Sequence, residues 1–165
     1  MDPFVYFKSE RISDSVTRIC GPAGELMYLV EGKERAALID TGTSVGDLRT
    51  FVENLTKKPY FVLLTHGHVD HAMGAPAFDE VFMNPADKEV FVAHSDFMVR
   101  KEFLQMSMGE NYWMVKEEDF TPIGSSDRYK PLLQGTNLIS VEYIWRHVLE
   151  QGIPLVWLQS YSLRK

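Results

Sequence analysis

Four side chains that bind first-row divalent cations, His66, His68, Asp70 and His71, fall inside the short string T-H-G-H-V-D-H at Thr65 to His71. Imidazole nitrogens and carboxylate oxygens are the donors that zinc, iron and manganese accept. In an extended segment His66 and His68 project to one side, because side chains alternate with a period of two, so two imidazoles can converge on one ion. Asp70 and His71 follow where the chain must turn, and Gly67 relieves the bend, so this second pair can aim at a neighbouring ion. The spacing suits a two-metal site, against the alternative that three histidines decorate a surface turn.

The elements that must position these side chains are legible on both sides. Phe61 to Leu64 is a short apolar run for a buried strand, ending at Thr65 where the polar cluster starts. Upstream, Phe4 to Lys8, Val16 to Cys20, Leu26 to Glu31 and Arg35 to Asp40 predict four short strands in an antiparallel meander, with turns at Gly21 to Gly24 and Glu31 to Glu34. Asp40 then closes a strand, and Asp47, Leu48, Phe51, Val52 and Leu55 have helical spacing. Downstream, the expectations are a short helix in Ala72 to Phe78, a strand at Glu80 to Met83, and helices over Pro85 to His94 and Asp96 to Met108. A last strand runs from Arg128 to Leu133, kept at a sheet edge by Pro131. Tyr112, Trp113 and Met114 read as core packing, with a substrate pocket as the alternative. Lys116 to Asp119 reads as solvated surface, Cys20 as a small core residue, and His94 as a surface or capping residue outside the motif.

The string T-H-G-H-V-D-H resembles the H-x-H-x-D-H signature of the metallo-β-lactamase superfamily, the di-metal hydrolases that include glyoxalase II. The similarity extends to a β-rich N-terminus, A-A-L-I-D-T-G at Ala36 to Gly42, a helix and the motif strand, in the family's order, over roughly Met1 to Gln134. It implies an α/β fold, the first half of an αββα metallo-β-lactamase sandwich, and a single domain spanning 1–165. It implies two divalent ions, expected as zinc with iron or manganese as alternatives: His66 and His68 for the first, Asp70 and His71 for the second. Such ions acidify a water and polarise the oxygen of an ester, thioester or related small substrate. By the same resemblance Asp70 orients and deprotonates the nucleophile, and Asp40 steadies a metal-binding histidine from behind. An ordinary turn or cap aspartate is the other reading of Asp40. Flavodiiron relatives carry a glutamate where this chain has His68, and many β-lactamases an arginine where it has His71. A glyoxalase II-like or general hydrolase is therefore the expectation.

Composition narrows the partners. The formal net charge of −6 over 165 residues argues against a phosphate-tracking surface, so a small-molecule substrate is expected and nucleic acid is not. One cysteine allows no internal disulfide, and neither a signal-type leader nor a run of ~20 apolar residues is present, so the expectation is a cytoplasmic protein without a membrane span.

After Gln134 the pattern stops. The family's second half brings a G-H-x-x-G histidine, a bridging aspartate and a final histidine, whereas here the remaining histidine, His147, sits in the apolar-faced I-W-R-H-V-L-E. Read one base earlier, codon degeneracy from Gln134 onward permits G-D-E-F-D-L-G-G-I-Y-L-E and then G-H-S-x-G. The tail 135–165 is thus expected to be a frameshifted end on a hydrolase gene, with a natural short variant as the alternative. For the chain as it stands, the rival from another class is a truncated, non-enzymatic remnant that binds metal weakly. A half-sandwich would also leave apolar sheet surface uncovered, from which homo-oligomers are expected.

Overall fold

The computed structural model describes residues 6–132; the tail 135–165, with His147, lies outside them. The described residues form one seven-stranded sheet in sequence order, with strands β1 (Lys8–Arg11), β2 (Val16–Cys20), β3 (Leu26–Glu31), β4 (Ala36–Ile39), β5 (Tyr60–Leu63), β6 (Val81–Met83) and β7 (Lys130–Pro131). β1 to β4 pair antiparallel, as a meander should. From β4 the pairing turns parallel through β5, β6 and β7, which demands crossover connections. Helix α1 (Leu48–Leu55) makes the first crossover, and α2 (Val69–Ala72) lies in the second. α3 (Lys88–His94) and α4 (Phe97–Met108) precede β7. The incomplete sandwich is what the described residues present: one sheet with its helices, and no second sheet among them.

Alternation assigns the two faces. Ile19, Met27, Leu29, Leu38, Val62, Leu64 and Val81 point into the main core with Leu48, Phe51 and Val52 of α1 and Phe91 and Leu104 of α3 and α4. The intervening residues Val16, Val30, Ala37, Ile39, Phe61, Leu63 and Phe82 form a second apolar cluster on the other face. Its members are at most 7 % exposed. The exposed large apolar side chains among the described residues include Leu26 of β3, Val92 of α3, Met98 and Met106 of α4, and Trp113. β4 is buried at every position, as expected for a central strand covered on both faces.

α1 starts where Asp47 accepts from the Thr50 backbone N–H at 3.0 Å and buries Leu48, Phe51 and Val52, one helical face. α4 is capped likewise by Asp96, which accepts from Met98 N at 2.8 Å. From α4, Arg100 reaches inward although it carries a charge. Only 5 % exposed, it lies near the rings of Phe97 and Phe120 and donates from Nη1 to Ser44 Oγ (2.9 Å) and the Thr121 carbonyl (3.1 Å). It thereby ties α4 to the loop that follows β4.

Four local expectations are corrected. Among the described residues the first strand is Lys8–Arg11 and leaves out Tyr6 and Phe7, because these two turn into the core, Phe7 against Phe51 at 5.3 Å, while the charged Lys8–Arg11 segment serves as an exposed edge; Phe4 lies outside the described residues. Cys20 is half-buried at the end of β2, on the face away from Ile19. Trp113 is 80 % exposed, since it lies on a 3₁₀ turn whose partly buried neighbour Tyr112 takes the core contact. Asp119, read as solvated, is buried because the Tyr6 hydroxyl donates to its Oδ2 at 2.7 Å and Lys116 N at 2.9 Å.

Replacing the fully buried Leu38 by Ala should remove about 2–5 kcal/mol of stability, read from urea unfolding, because its central position between packed layers leaves a cavity that cannot collapse. Glu25 gives a pH dependence. Burial raises its carboxyl above the ordinary range, against hydrogen bonds from Thr43 Oγ1 (2.8 Å), Thr43 N and Ala23 N. A carboxyl raised on folding contributes stability below its unfolded pKa and loses it as pH rises through its folded value. Urea midpoints should therefore fall with rising pH above the ordinary carboxylate range, and that slope should diminish in Glu25→Gln.

Candidate metal centre

Parallel register brings the centre together. β4 and β5 pair with Ile39 beside Leu63, so the residues leaving each strand, Asp40 and Thr65 with His66, emerge as neighbours at the carboxyl ends of two central strands. That is where open parallel sheets place their ligands. Asp40 N donates to Leu63 O at 2.9 Å, and Thr41 N donates to His71 O at 2.6 Å, which clasps α2 to the same edge. Asp40 takes up a left-handed backbone (φ 61), one that aspartate and asparagine tolerate better than most residues.

Gly67 matters for space more than for bending. A Cβ there would lie 2.7 Å from Asp87 O and 2.8 Å from Phe91 N, so the motif loop packs backbone to backbone against the start of α3. This close approach, invisible in the motif itself, sets the path between the histidines.

The carboxylate of Asp40 is the point on which the buried hydrogen bonds converge. Its Oδ1 accepts from Thr65 N at 2.8 Å, its Oδ2 lies 2.8 Å from Thr65 Oγ1, and its Oδ2 lies 2.8 Å from His71 Nδ1. An ionised carboxylate only accepts, so the Thr65 hydroxyl gives its proton to Asp40 and His71 donates from Nδ1. The Thr65 oxygen, 2.9 Å from His66 Nδ1, is then left to accept from that nitrogen. In both His66 and His71 the remaining ring nitrogen, Nε2, is consequently the one turned away from the Thr65–Asp40 pair, that of His71 towards Asp70. Asp40 thus orients two histidines, one directly and one through Thr65, a residue the sequence marked only as the end of a strand.

His66, Asp70 and His71 each offer a ligand atom, and these atoms lie within 4.8 Å of one another. His71 Nε2 is 3.2 Å from Asp70 Oδ2. His68, exposed, stands edge-on to His66 with ring centroids 4.6 Å apart and stacks on His94. The geometry therefore groups His66 with Asp70 and His71 and sets His68 beside them.

The charges suit a cation. Burial, aided by the neighbouring His71, pushes His66 down to about 4, so it is a neutral imidazole with a free pair to give at neutral pH. Burial also pulls His71 down, but hydrogen bonds and charge from Asp40 and Asp70 outweigh it and raise the ring to about 9. Burial pushes Asp70 up, and the hydrogen bond and charge of His71 more than reverse this, holding its carboxyl below the usual range. Two imidazoles and an anionic carboxylate are a donor set for a first-row divalent ion, and a bound cation would take the place of the proton at His71 Nε2. The residues present fit such an ion.

Asp40→Asn isolates the role of this carboxylate, because asparagine keeps the shape and tolerates the left-handed backbone while turning an NH₂ towards buried donors. The variant should lose about 1–3 kcal/mol in urea unfolding. Its zinc affinity, measured by chelator competition, should fall about 10–100-fold.

The family model for the metallo-beta-lactamase superfamily matches residues 20–141. The human acyl-coenzyme A thioesterase MBLAC2 is 28 % identical over 83 residues, a stretch covering 43 % of this chain and 30 % of that protein. Among solved structures, a metallo-beta-lactamase from Pontibacter korlensis is 24 % identical with a TM-score of 0.46, covering 55 % of this chain and 49 % of its own. One from Erythrobacter litoralis is 19 % identical with a TM-score of 0.49, covering 55 % and 47 %. The chain thus spans about half the length of these structures and 30 % of the curated relative. With a family model matched over more than half its residues, the chain belongs to the metallo-β-lactamase superfamily.

Proposed function

We propose that the chain carries the first-half ligands of a metal-dependent hydrolase acting on an ester, thioester or related small substrate. His66, His68, Asp70 and His71 are the ligands in this reading, and Asp40 steadies His71. The observation that carries it is the convergence of His66, Asp70 and His71 within 4.8 Å on a side chain network anchored by one buried carboxylate. Divalent ions, zinc in our reading, supply an acidified water and a polarised carbonyl when bound. The chain's own residues do the rest: His66 and His71 present Nε2, Asp40 and Thr65 hold them there, and Asp70, anionic and half-buried, can accept a proton at its carboxylate. The similarity to the human acyl-coenzyme A thioesterase supports the thioester among these substrates.

A second reading is a non-enzymatic remnant that binds metal weakly. It is favoured by the donor group among the described residues, which has three members, whereas a catalytic zinc usually takes three protein ligands for each ion.

Zinc titration and thioester turnover separate the two. The unmodified chain should bind zinc in a manner abolished by His66→Ala and turn over little thioester. With 135–165 replaced by the alternative-frame continuation, extended to the bridging aspartate and final histidine, chelator-sensitive hydrolysis should appear and fall at least ~10²-fold in Asp70→Asn. A completed chain that takes up zinc but hydrolyses nothing would favour the remnant reading. Zinc binding unaltered by His66→Ala would remove the motif from the site altogether.

A further inference from the structure

His94 is the histidine that the metal motif does not include, and it stands at the motif's edge. It is the last residue of α3, half-buried, and its Nδ1 accepts the backbone N–H of Val69 at 3.1 Å. Val69 is the first residue of α2, whose N-cap position is His68, and His68 makes no side-chain cap of its own. A helix start leaves N–H groups without intrahelical partners, and one of these is taken up by a side chain from a different helix. The same ring lies face to face with His68, centroids 4.9 Å apart and planes 25° from parallel. His68 also meets His66 edge-on at 4.6 Å. His68 is otherwise exposed, and an exposed imidazole on an extended backbone has several rotamers open to it.

We infer that His94 is a positioning residue for His68: it fixes the backbone at the His68–Val69 junction through Nδ1 and confines the His68 ring by stacking. The nearly parallel planes argue against His94 as a ligand beside His68. Imidazole lone pairs lie in the plane of the ring, so two stacked rings do not aim at one ion. Because Nδ1 accepts from Val69, neutral His94 carries its proton on Nε2, and that nitrogen offers no lone pair either. His94 therefore acts through His68, which couples the end of α3 to the metal motif. The importance of His68 as a ligand rests on the hydrolase reading above, but its confinement by His94 does not.

The test uses the full chain and begins without metal. Three variants separate the two contacts: His94→Asn retains an acceptor near the Nδ1 position, His94→Phe retains a stacking ring without an acceptor, and His94→Ala retains neither. Val69 amide exchange, followed by NMR, should accelerate at least tenfold in His94→Ala and His94→Phe and stay near the parent rate in His94→Asn. The His68 ring proton shifts should move in His94→Ala and His94→Asn, where the stack is gone, and less in His94→Phe. Zinc affinity by chelator competition should fall about tenfold in His94→Ala. In a double-mutant cycle His94→Ala should have no further effect on zinc affinity once His68 is Ala. Unchanged Val69 exchange and His68 shifts in His94→Ala would overturn the inference, as would an equal loss of zinc affinity in the His68→Ala background, which would make His94 a ligand in its own right. Altered Val69 exchange and His68 shifts with no zinc binding by the parent would uphold the positioning role while sinking the hydrolase reading.

Discussion

The buried carboxylate of Asp40 organises the centre. It accepts from the Thr65 backbone, the Thr65 hydroxyl and His71 Nδ1, and through the hydroxyl it also decides which nitrogen His66 presents. Charge-assisted hydrogen bonds of this kind are stronger than neutral ones and short enough to define direction. An anion so deeply placed is tolerated because Thr65 N, the Thr65 hydroxyl and His71 Nδ1 are aimed at it, and the His71 ring can carry a compensating positive charge. Without a carboxylate there, the two histidine tautomers would be free to choose, and the donor group would lose its common focus.

The carboxylate can act this way only because the sheet puts it there. Parallel pairing of β4 with β5 brings Asp40 and Thr65 to one edge, and an antiparallel pairing would send the two strand ends apart. Around that edge the packing is close on three sides. The Gly67 backbone fits against α3, Thr41 clasps the carbonyl of His71, and Arg100 fastens α4 to the loop beyond Asp40. Glu25, from the hairpin of β2 and β3, holds Thr43 in the same loop. Loop residues that would otherwise sample several conformations are thereby ordered before any ligand arrives, which is the condition for a metal site to bind without reorganisation.

His71 and His68 sit close enough to His66 to disfavour its protonation, and this helps a cation. His66 is kept neutral by burial and by the neighbouring ring of His71, while the two carboxylates draw positive charge onto His71. The centre is thus divided into a neutral donor, an anionic donor and a cationic ring held between carboxylates. A divalent ion entering it meets two carboxylates whose charge it can neutralise and one proton to displace.

Much of this was legible in order along the chain. The apolar alternation of Val16–Cys20 and Leu26–Glu31, the helical spacing of Leu48, Phe51 and Val52, and the donor-rich string after Phe61–Leu64 each report on local geometry, which a side-chain period reveals directly. The switch from antiparallel to parallel pairing left no such local trace. Nor could the chain alone show why Gly67 is small, since its neighbours Asp87 and Phe91 are distant in sequence. Asp119 looks like a surface charge until Tyr6 is brought to it. Trp113 looks like core until its 3₁₀ turn is placed at the rim. The types of the candidate metal donors were set by the sequence, because coordination chemistry belongs to the side chain. Their grouping, their tautomers and the stacking of His94 on His68 were decided by tertiary structure, because each depends on a contact between strands or helices that only folding brings within hydrogen-bond or van der Waals reach.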